Sequence, residues 1–262
     1  AEERSCHGMP RLYGYCCVLA MVNAVFSSLR FATYENEKWF VSGHSARRMV
    51  IFESRHLQSR VCDKLMSNTL QPPSDHWRNR YLLMRHGHSQ ANQQGLIISS
   101  PERGINEFGL SAIGERQLAQ AVAEWGWPVP TKVVHSDFLR TTQTAAQVAS
   151  AFKLEMAVDK RLRERYFGEF DGQADAHYPD VWALDSRNAD HTHHQVEAVS
   201  SVAARMSAVM EGLEQQYAGE IILLVSHGDP LQILLTALAN KSLTQHREQV
   251  ALLPASITQI GH

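Results

Sequence analysis

Apolar and polar positions change period several times along the 262-residue chain. From residue 80 onward, short unbroken apolar runs alternate with stripes of three- and four-residue spacing. The runs at 81–84 and 221–225 lack alternation, which predicts strands buried on both faces of a sheet. Residues 131–135 read as another strand and 256–260 as the last. Ser111 is placed to cap a helix whose Leu118, Ala121, Val122 and Trp125 share one face. Further helices are predicted over 142–152 and 231–239. The longest spans 196–217, where Val196, Val199, Val202, Met206, Val209, Leu213 and Tyr217 form a stripe suited to core packing. Strands alternating with helices predict an α/β domain with parallel pairing.

Residues 1–79 follow a different plan and read as an N-terminal extension of unknown role. An apolar run at 14–26 follows Arg4 and Arg11. It is short for a membrane span, which needs about 20 residues. A targeting segment would have this basic-then-apolar order, but Glu2 and Glu3 interrupt it. A poorly ordered extension, a targeting segment and a small packed helical piece are the three readings left open. The chain begins at Ala1, so a fragment or processed form is expected. Gln71-Pro72-Pro73-Ser74-Asp75 reads as the linker that ends the region. All four cysteines (Cys6, Cys16, Cys17, Cys62) lie here without metal-like spacing, so buried free thiols are expected. Thiol chemistry is excluded from residues 80–262.

The chemistry gathers where predicted strands end. Leu82-Leu83-Met84 runs into Arg85-His86-Gly87-His88-Ser89-Gln90-Ala91-Asn92. Open α/β sheets place ligands at such ends. Arg85 offers a fork of donors that matches phosphate, and His86 an imidazole nitrogen able to attack phosphorus. Gly87 is expected to let backbone N–H groups approach an anion. The dipeptide alone says little, because Arg55-His56 occurs earlier with leucine after it. Three more segments raise its weight: His135-Ser136-Asp137-Phe138-Leu139-Arg140, then Leu162-Arg163-Glu164 with Gly168 and Gly172 behind it, then Val225-Ser226-His227-Gly228.

Together these motifs resemble the histidine phosphatase superfamily over residues 80–262. The resemblance implies a phosphoglycerate-mutase-like fold, a three-layer α/β/α sandwich with a mostly parallel central sheet. It implies that His86 is the nucleophile of a phosphohistidine mechanism, and that Arg85, Arg140 and His227 neutralise the transferring group. His86 must be neutral, with its second nitrogen on an acceptor such as the Gly87 carbonyl, whereas His227 works best as a cation. Glu164, first glutamate of the pattern Leu-x-Glu-x-x-x-Gly, is the implied proton shuttle, with Glu169 its rival. Ser89 and Asn92 are expected to contact phosphate or order the loop, and Asp171 to be structural. Mutases of the superfamily commonly carry tryptophan where this chain has Ala91.

Charge and composition narrow the function. The net charge of −2 divides into +3 for residues 1–79 and −5 for 80–262, which excludes a dense nucleic-acid-binding surface. A small phosphorylated substrate is the expected partner, with no membrane; oligomeric state is left open, and a cytoplasmic location is expected. No Walker-type loop and no magnesium carboxylate cluster is legible, so neither cofactor nor metal is expected. Asp190-His191-Thr192-His193-His194 reads as a solvated loop rather than a metal site, and His135 as structural or close to the site. Between Asp171 and Ile221 only Arg187 and Arg205 are basic, too few to grip a polyanion. That favours a phosphatase over a phosphoglycerate-mutase-type phosphotransferase. A scaffold without chemistry would have lost at least one of His86, Arg140, Glu164 or His227, and all are present.

Overall fold

The computed structural model describes residues 77–261 and three strands before them. The chain divides into two units, Ala1–Ser67 and Asn68–His262. In the first, β1 (Phe31–Glu35), β2 (Lys38–Ser42) and β3 (Phe52–Glu53) form an antiparallel sheet in the order β1-β2-β3. These strands are a feature that the sequence reading missed. The apolar run at 14–26, the cysteines and the 71–75 linker lie outside the described residues.

The second unit is built on five strands: β4 (Arg80–Arg85), β5 (Lys132–His135), β6 (Met156–Val158), β7 (Ile221–Ser226) and β8 (Ile257–Ile260). Their order is β6-β5-β7-β4-β8. All pairs are parallel except β4 with β8. The mostly parallel sandwich implied by the motifs is therefore the observed fold. Alternate residues of each central strand feed opposite layers, as strand geometry dictates. Tyr81, Leu83, Ile222 and Leu224 join a core with α6 (Val199–Gln216) and α7 (Gly228–Leu238). Leu82, Met84, Leu223 and Val225 join a second core with α3 (Ala112–Ala123) and α4 (Leu139–Phe152). Shorter helices are α1 (Gln90–Gln94), α2 (Pro101–Gly104) and α5 (Tyr178–Asp185). Among the described residues, no helix is long and apolar enough to cross a membrane.

Helix starts differ from the sequence expectation for physical reasons. α4 begins three residues before position 142, because Phe138 is its N-cap without any side-chain cap bond to advertise it. The shift brings Arg140 into the first helical turn. α6 begins at Val199 rather than Val196, because Val196 is buried with Ile97, Phe167 and Val181 in a separate cluster. α7 begins at Gly228, since Pro230 sits in its first turn, where a missing N–H costs nothing. The α6 stripe from Val199 to Leu213 is buried, so it is core.

The chain leaves β4 towards β5 on one face and leaves β7 towards β8 on the other. This reversal opens a crevice at the carboxyl ends of β4, β5 and β7. The loop after β4 is clamped against α3: the Ser111 N–H donates to the His88 carbonyl (2.9 Å), and the His88 N–H donates to Gln117 Oε1 (3.1 Å). A Cβ at Gly114 would lie 2.0 Å from the His88 carbonyl oxygen, and the obstacle is backbone. Gly114→Ala is therefore expected to displace the His86–His88 loop and to cost about 1–3 kcal/mol, the range for overpacking. Chemical denaturation followed by circular dichroism checks it; a variant as stable as the parent would show that the loop can move.

Candidate active site

His86 follows β4 with its backbone pinned on both sides. Its N–H donates to the Ser226 carbonyl (3.0 Å), and its own carbonyl accepts from the Ala255 N–H (3.1 Å). The ring Nδ1 lies 2.7 Å from the Gly87 carbonyl, which can only accept. The proton therefore sits on Nδ1, and Nε2 keeps its lone pair. Arg140 Nε donates to that lone pair at 3.2 Å. Burial, then the charges of Arg140 and Arg85, hold the His86 pKa well below the usual imidazole value, so the ring is neutral. Gly87 donates its N–H to Thr144 Oγ1 (3.1 Å). Its lack of a side chain lets the loop pack on Gly114, Leu110 and Leu118.

His227 caps α7 and faces His86, with ring centroids 5.2 Å apart at 65°. Its Nε2 lies 3.0 Å from Ser136 Oγ. That oxygen also accepts from the Phe138 N–H (3.4 Å); where its own hydrogen points to Nε2, the imidazole proton is on Nδ1. Burial and the nearby charge of Arg140 lower the His227 pKa strongly, so this ring is neutral too, against the expectation of a cation. Arg140 donates through Nη2 to the Ile98 carbonyl (2.9 Å) and lies on the Phe138 ring. Arg85 donates through Nη1 to the Leu252 carbonyl (2.6 Å).

Glu164 completes the group. Its Oε2 lies 3.8 Å from both Arg140 Nη2 and His227 Nδ1. Its Oε1 accepts from the Arg165 N–H at 3.0 Å. Burial raises its pKa to about 7 against the lowering pull of Arg140, and Asp229 adds to the rise. Glu169, its rival, is exposed and bonded to His194 and Gln195, which lowers its pKa. Among the described residues, six buried side-chain polar atoms have no hydrogen-bond partner. Three of them are Arg85 Nε, Arg140 Nη1 and His227 Nδ1. Orphaned buried donors are costly, so three in one crevice mark a place shaped for an anion.

The remaining candidates have protein partners of their own. Ser89 and Asn92 bond each other in a capping box at the start of α1, with the Ser89 N–H and Oγ–H both donating to Asn92 Oδ1 (3.0 and 2.9 Å). These contacts order the loop. Asp171 accepts from the N–H groups of Ser99 (2.7 Å) and Ser100 (3.0 Å), a structural role. His135 faces its neighbour's carbonyl, Ser136 O, at 2.7 Å and Thr142 at 3.4 Å, so its ring serves the turn after β5. Among the described residues, no group of three or more His, Cys, Asp or Glu side chains could hold a metal. His191 is not solvated as expected: it is buried with Nε2 2.7 Å from Asp185.

Sequence reasoning missed a buried cluster behind Glu164. Arg165, at 0% exposure, makes a fork to both oxygens of Asp185 (2.6 and 2.8 Å) and reaches Asp229 at 3.4 Å. Arg247 donates to Asp229 (3.0 Å) and to Gln232, and lies 3.7 Å from the Trp182 ring centroid. Tyr178 stacks on Trp182 and borders Glu164; its own burial, and then the charge of Glu164, raise the phenol pKa. Only the adjacency of Arg165 to Glu164 was available as a signal; the other partners come from distant segments.

Known proteins with this arrangement can now be compared. The sequence profile described as Histidine phosphatase superfamily (branch 1) matches residues 81–262. Glucosyl-3-phosphoglycerate phosphatase of Mycobacterium tuberculosis is 29% identical over 196 residues, 70% of this chain and 86% of that protein. A probable phosphoglycerate mutase of Yersinia pestis is 33% identical over 175 residues, 64% of this chain and 77% of its own length. The structure of mycobacterial glucosyl-3-phosphoglycerate phosphatase complexed with VO3 superposes with a TM-score of 0.60 at 26% identity, covering 69% of this chain and 91% of that one. With its two facing histidines, Arg85 and Arg140 beside them, and a profile match across residues 81–262, this chain belongs to the histidine phosphatase superfamily.

Proposed function

We propose that residues 80–262 form the catalytic domain of a metal-independent phosphatase that hydrolyses small phosphate monoesters through a phosphohistidine on His86. The observation that carries this reading is the set of unpartnered nitrogens on Arg85, Arg140 and His227 around a neutral His86, whose Nε2 keeps its lone pair and is met there by Arg140 Nε. A phosphoryl group there accepts from the three donors, with Asn92 as a further candidate contact. Nε2 attacks phosphorus while the P–O bond to the leaving group breaks, and protonated Glu164 gives its proton to the departing oxygen. Glu164, now a carboxylate, then takes a proton from a water that attacks the phosphohistidine. Inorganic phosphate leaves and both residues return to their starting forms. A dianion beside His227 Nδ1 offsets the charge of Arg140, which after burial is the next cause of this ring's low pKa, and so favours the cationic form as substrate binds.

Charge supports hydrolysis over phosphoryl return to a second anionic substrate. Arg205 is paired with Glu197 (2.8 Å), and Arg247 with Asp229 (3.0 Å). Among the described residues around His86, Arg85 and Arg140 are the cations left for the substrate, enough for one phosphate dianion. The likeness to a probable mutase keeps a phosphotransferase as the second reading.

Brief mixing with labelled substrate is expected to leave acid-labile, base-stable phosphate on the protein, and His86→Ala to lose both label and turnover. Label surviving in that variant moves the nucleophile elsewhere. Arg140→Lys keeps the charge and loses the fork, so activity should fall well below wild type, and EDTA should leave wild-type turnover unchanged. A strict divalent-metal requirement would sink the mechanism.

Glu164→Gln should slow phenyl phosphate hydrolysis by about 10²–10⁴-fold, the usual worth of general acid–base help. With p-nitrophenyl phosphate the leaving group needs little protonation, so the variant should release a burst of nitrophenol and accumulate phosphoenzyme. Wild-type phosphoenzyme that persists in water for minutes, and is cleared only by added phosphoglycerate, would favour the mutase reading instead.

A further inference from the structure

We infer that Asp229 is a positioning residue that keeps Glu164 in its acid form, by sharing Arg165 with it and standing as a second carboxylate behind it. This rests on Glu164 being the proton donor of the proposed hydrolysis. Arg165 touches both acids, its backbone N–H on Glu164 Oε1 (3.0 Å) and its Nη1 on Asp229 Oδ2 (3.4 Å). Asp229 is 5% exposed and stands two residues after His227, in the first turn of α7. It accepts from three segments distant in sequence: Arg165 beside Glu164, Trp182 Nε1 of α5 (3.4 Å) and Arg247 (3.0 Å). One carboxylate therefore joins the Glu164 loop, the α5 segment and the chain after α7.

The need for such a residue follows from what surrounds Glu164. Arg85 faces it from the end of β4, Arg140 from α4, and His227 from the end of β7. Tyr178 borders it from α5, and Arg205 of α6 donates to its backbone carbonyl (3.3 Å). The guanidiniums pull the carboxyl towards the anion, which cannot protonate a leaving group. Asp229 is the carboxylate among these neighbours. Its charge opposes the pull directly and also offsets Arg165 and Arg247. The cluster Arg165, Asp185, Asp229 and Arg247 is balanced, two cations against two carboxylates. Burial raises the Glu164 pKa to about 7, and Asp229 adds to the rise.

The test is a pair of variants predicted to move one titration in opposite directions. In Asp229→Asn, Arg165 and Arg247 lose their counter-charge, so the Glu164 pKa falls, by about one unit or more. In Arg247→Gln, Asp229 loses one cation and bears more strongly on Glu164, so the pKa rises. The carboxyl is read by infrared difference titration, its band assigned by disappearance in Glu164→Gln, and independently as the alkaline limb of phenyl phosphate hydrolysis. The limb should move down in pH for Asp229→Asn and up for Arg247→Gln. Arg247 is partly exposed, so its variant keeps the test alive if Asp229→Asn does not fold. A purely structural role lowers activity at every pH without moving the midpoint, and unmoved midpoints, or shifts of one sign, overturn the inference. A limb that survives in Glu164→Gln shows instead that Glu164 is not the acid, a failure of the proposed mechanism and not of this assignment.

Discussion

Two guanidiniums held out of water beside two imidazoles set the terms for everything else in this crevice. Arg140 is buried and Arg85 nearly so; each spends one nitrogen on a backbone carbonyl, of Ile98 and of Leu252, and leaves another without a partner. Unneutralised buried charge is expensive, and burial lowers the pKa of both arginines. Burial first, and then the same field, keeps His86 and His227 neutral. A nucleophile that is neutral by environment requires no separate base to activate it. A dianion entering the crevice relieves the repulsion and satisfies the orphaned donors together. Binding and nucleophile readiness thus have one electrostatic origin.

The acid must resist that field, and the fold provides a balanced ionic cluster for the purpose. Arg165 and Asp185 form a bidentate pair at 0% exposure, with Asp229 and Arg247 completing it. Such a pair adds little net stability over an apolar core, because desolvation offsets most of its Coulomb energy. Its value here is geometric. It ties α5, the start of α7 and the segment after α7 to the backbone beside Glu164, and it leaves no surplus cation to compete for the phosphoryl group.

Relatives include both a phosphatase and a probable mutase, so the family alone does not divide the two activities. The distribution of charge does so better. A mutase must hold the leaving product for return, which calls for further cations or a closed site. Among the described residues, Arg205, Arg165 and Arg247 are engaged by Glu197, Asp185 and Asp229.

Much of the fold was legible because its signals are local. Unbroken apolar runs marked β4 and β7, three- and four-residue stripes marked α3 and α6, and Arg-His or His-Gly at strand ends marked the crevice. Local signals failed where a cap was missing, as at Phe138 ahead of α4, or where an apolar residue served another cluster, as Val196 does. They failed also for β1–β3, whose pairing links segments with no strong alternation. Within the site, position after strand ends or polar turns, together with the superfamily resemblance, nominated His86, Arg85, Arg140, Glu164 and His227. Protonation was not legible: His227 reads as a cation from its role, yet burial among arginines makes it neutral. Nor was the company of Glu164, since Asp229 and Arg247 lie 65 and 83 positions away in the chain. Sequence by itself determined the strand-end chemistry, because that depends on neighbours along the backbone. Tertiary structure alone decided which charges are buried together, because desolvation and charge proximity exist only once distant segments pack.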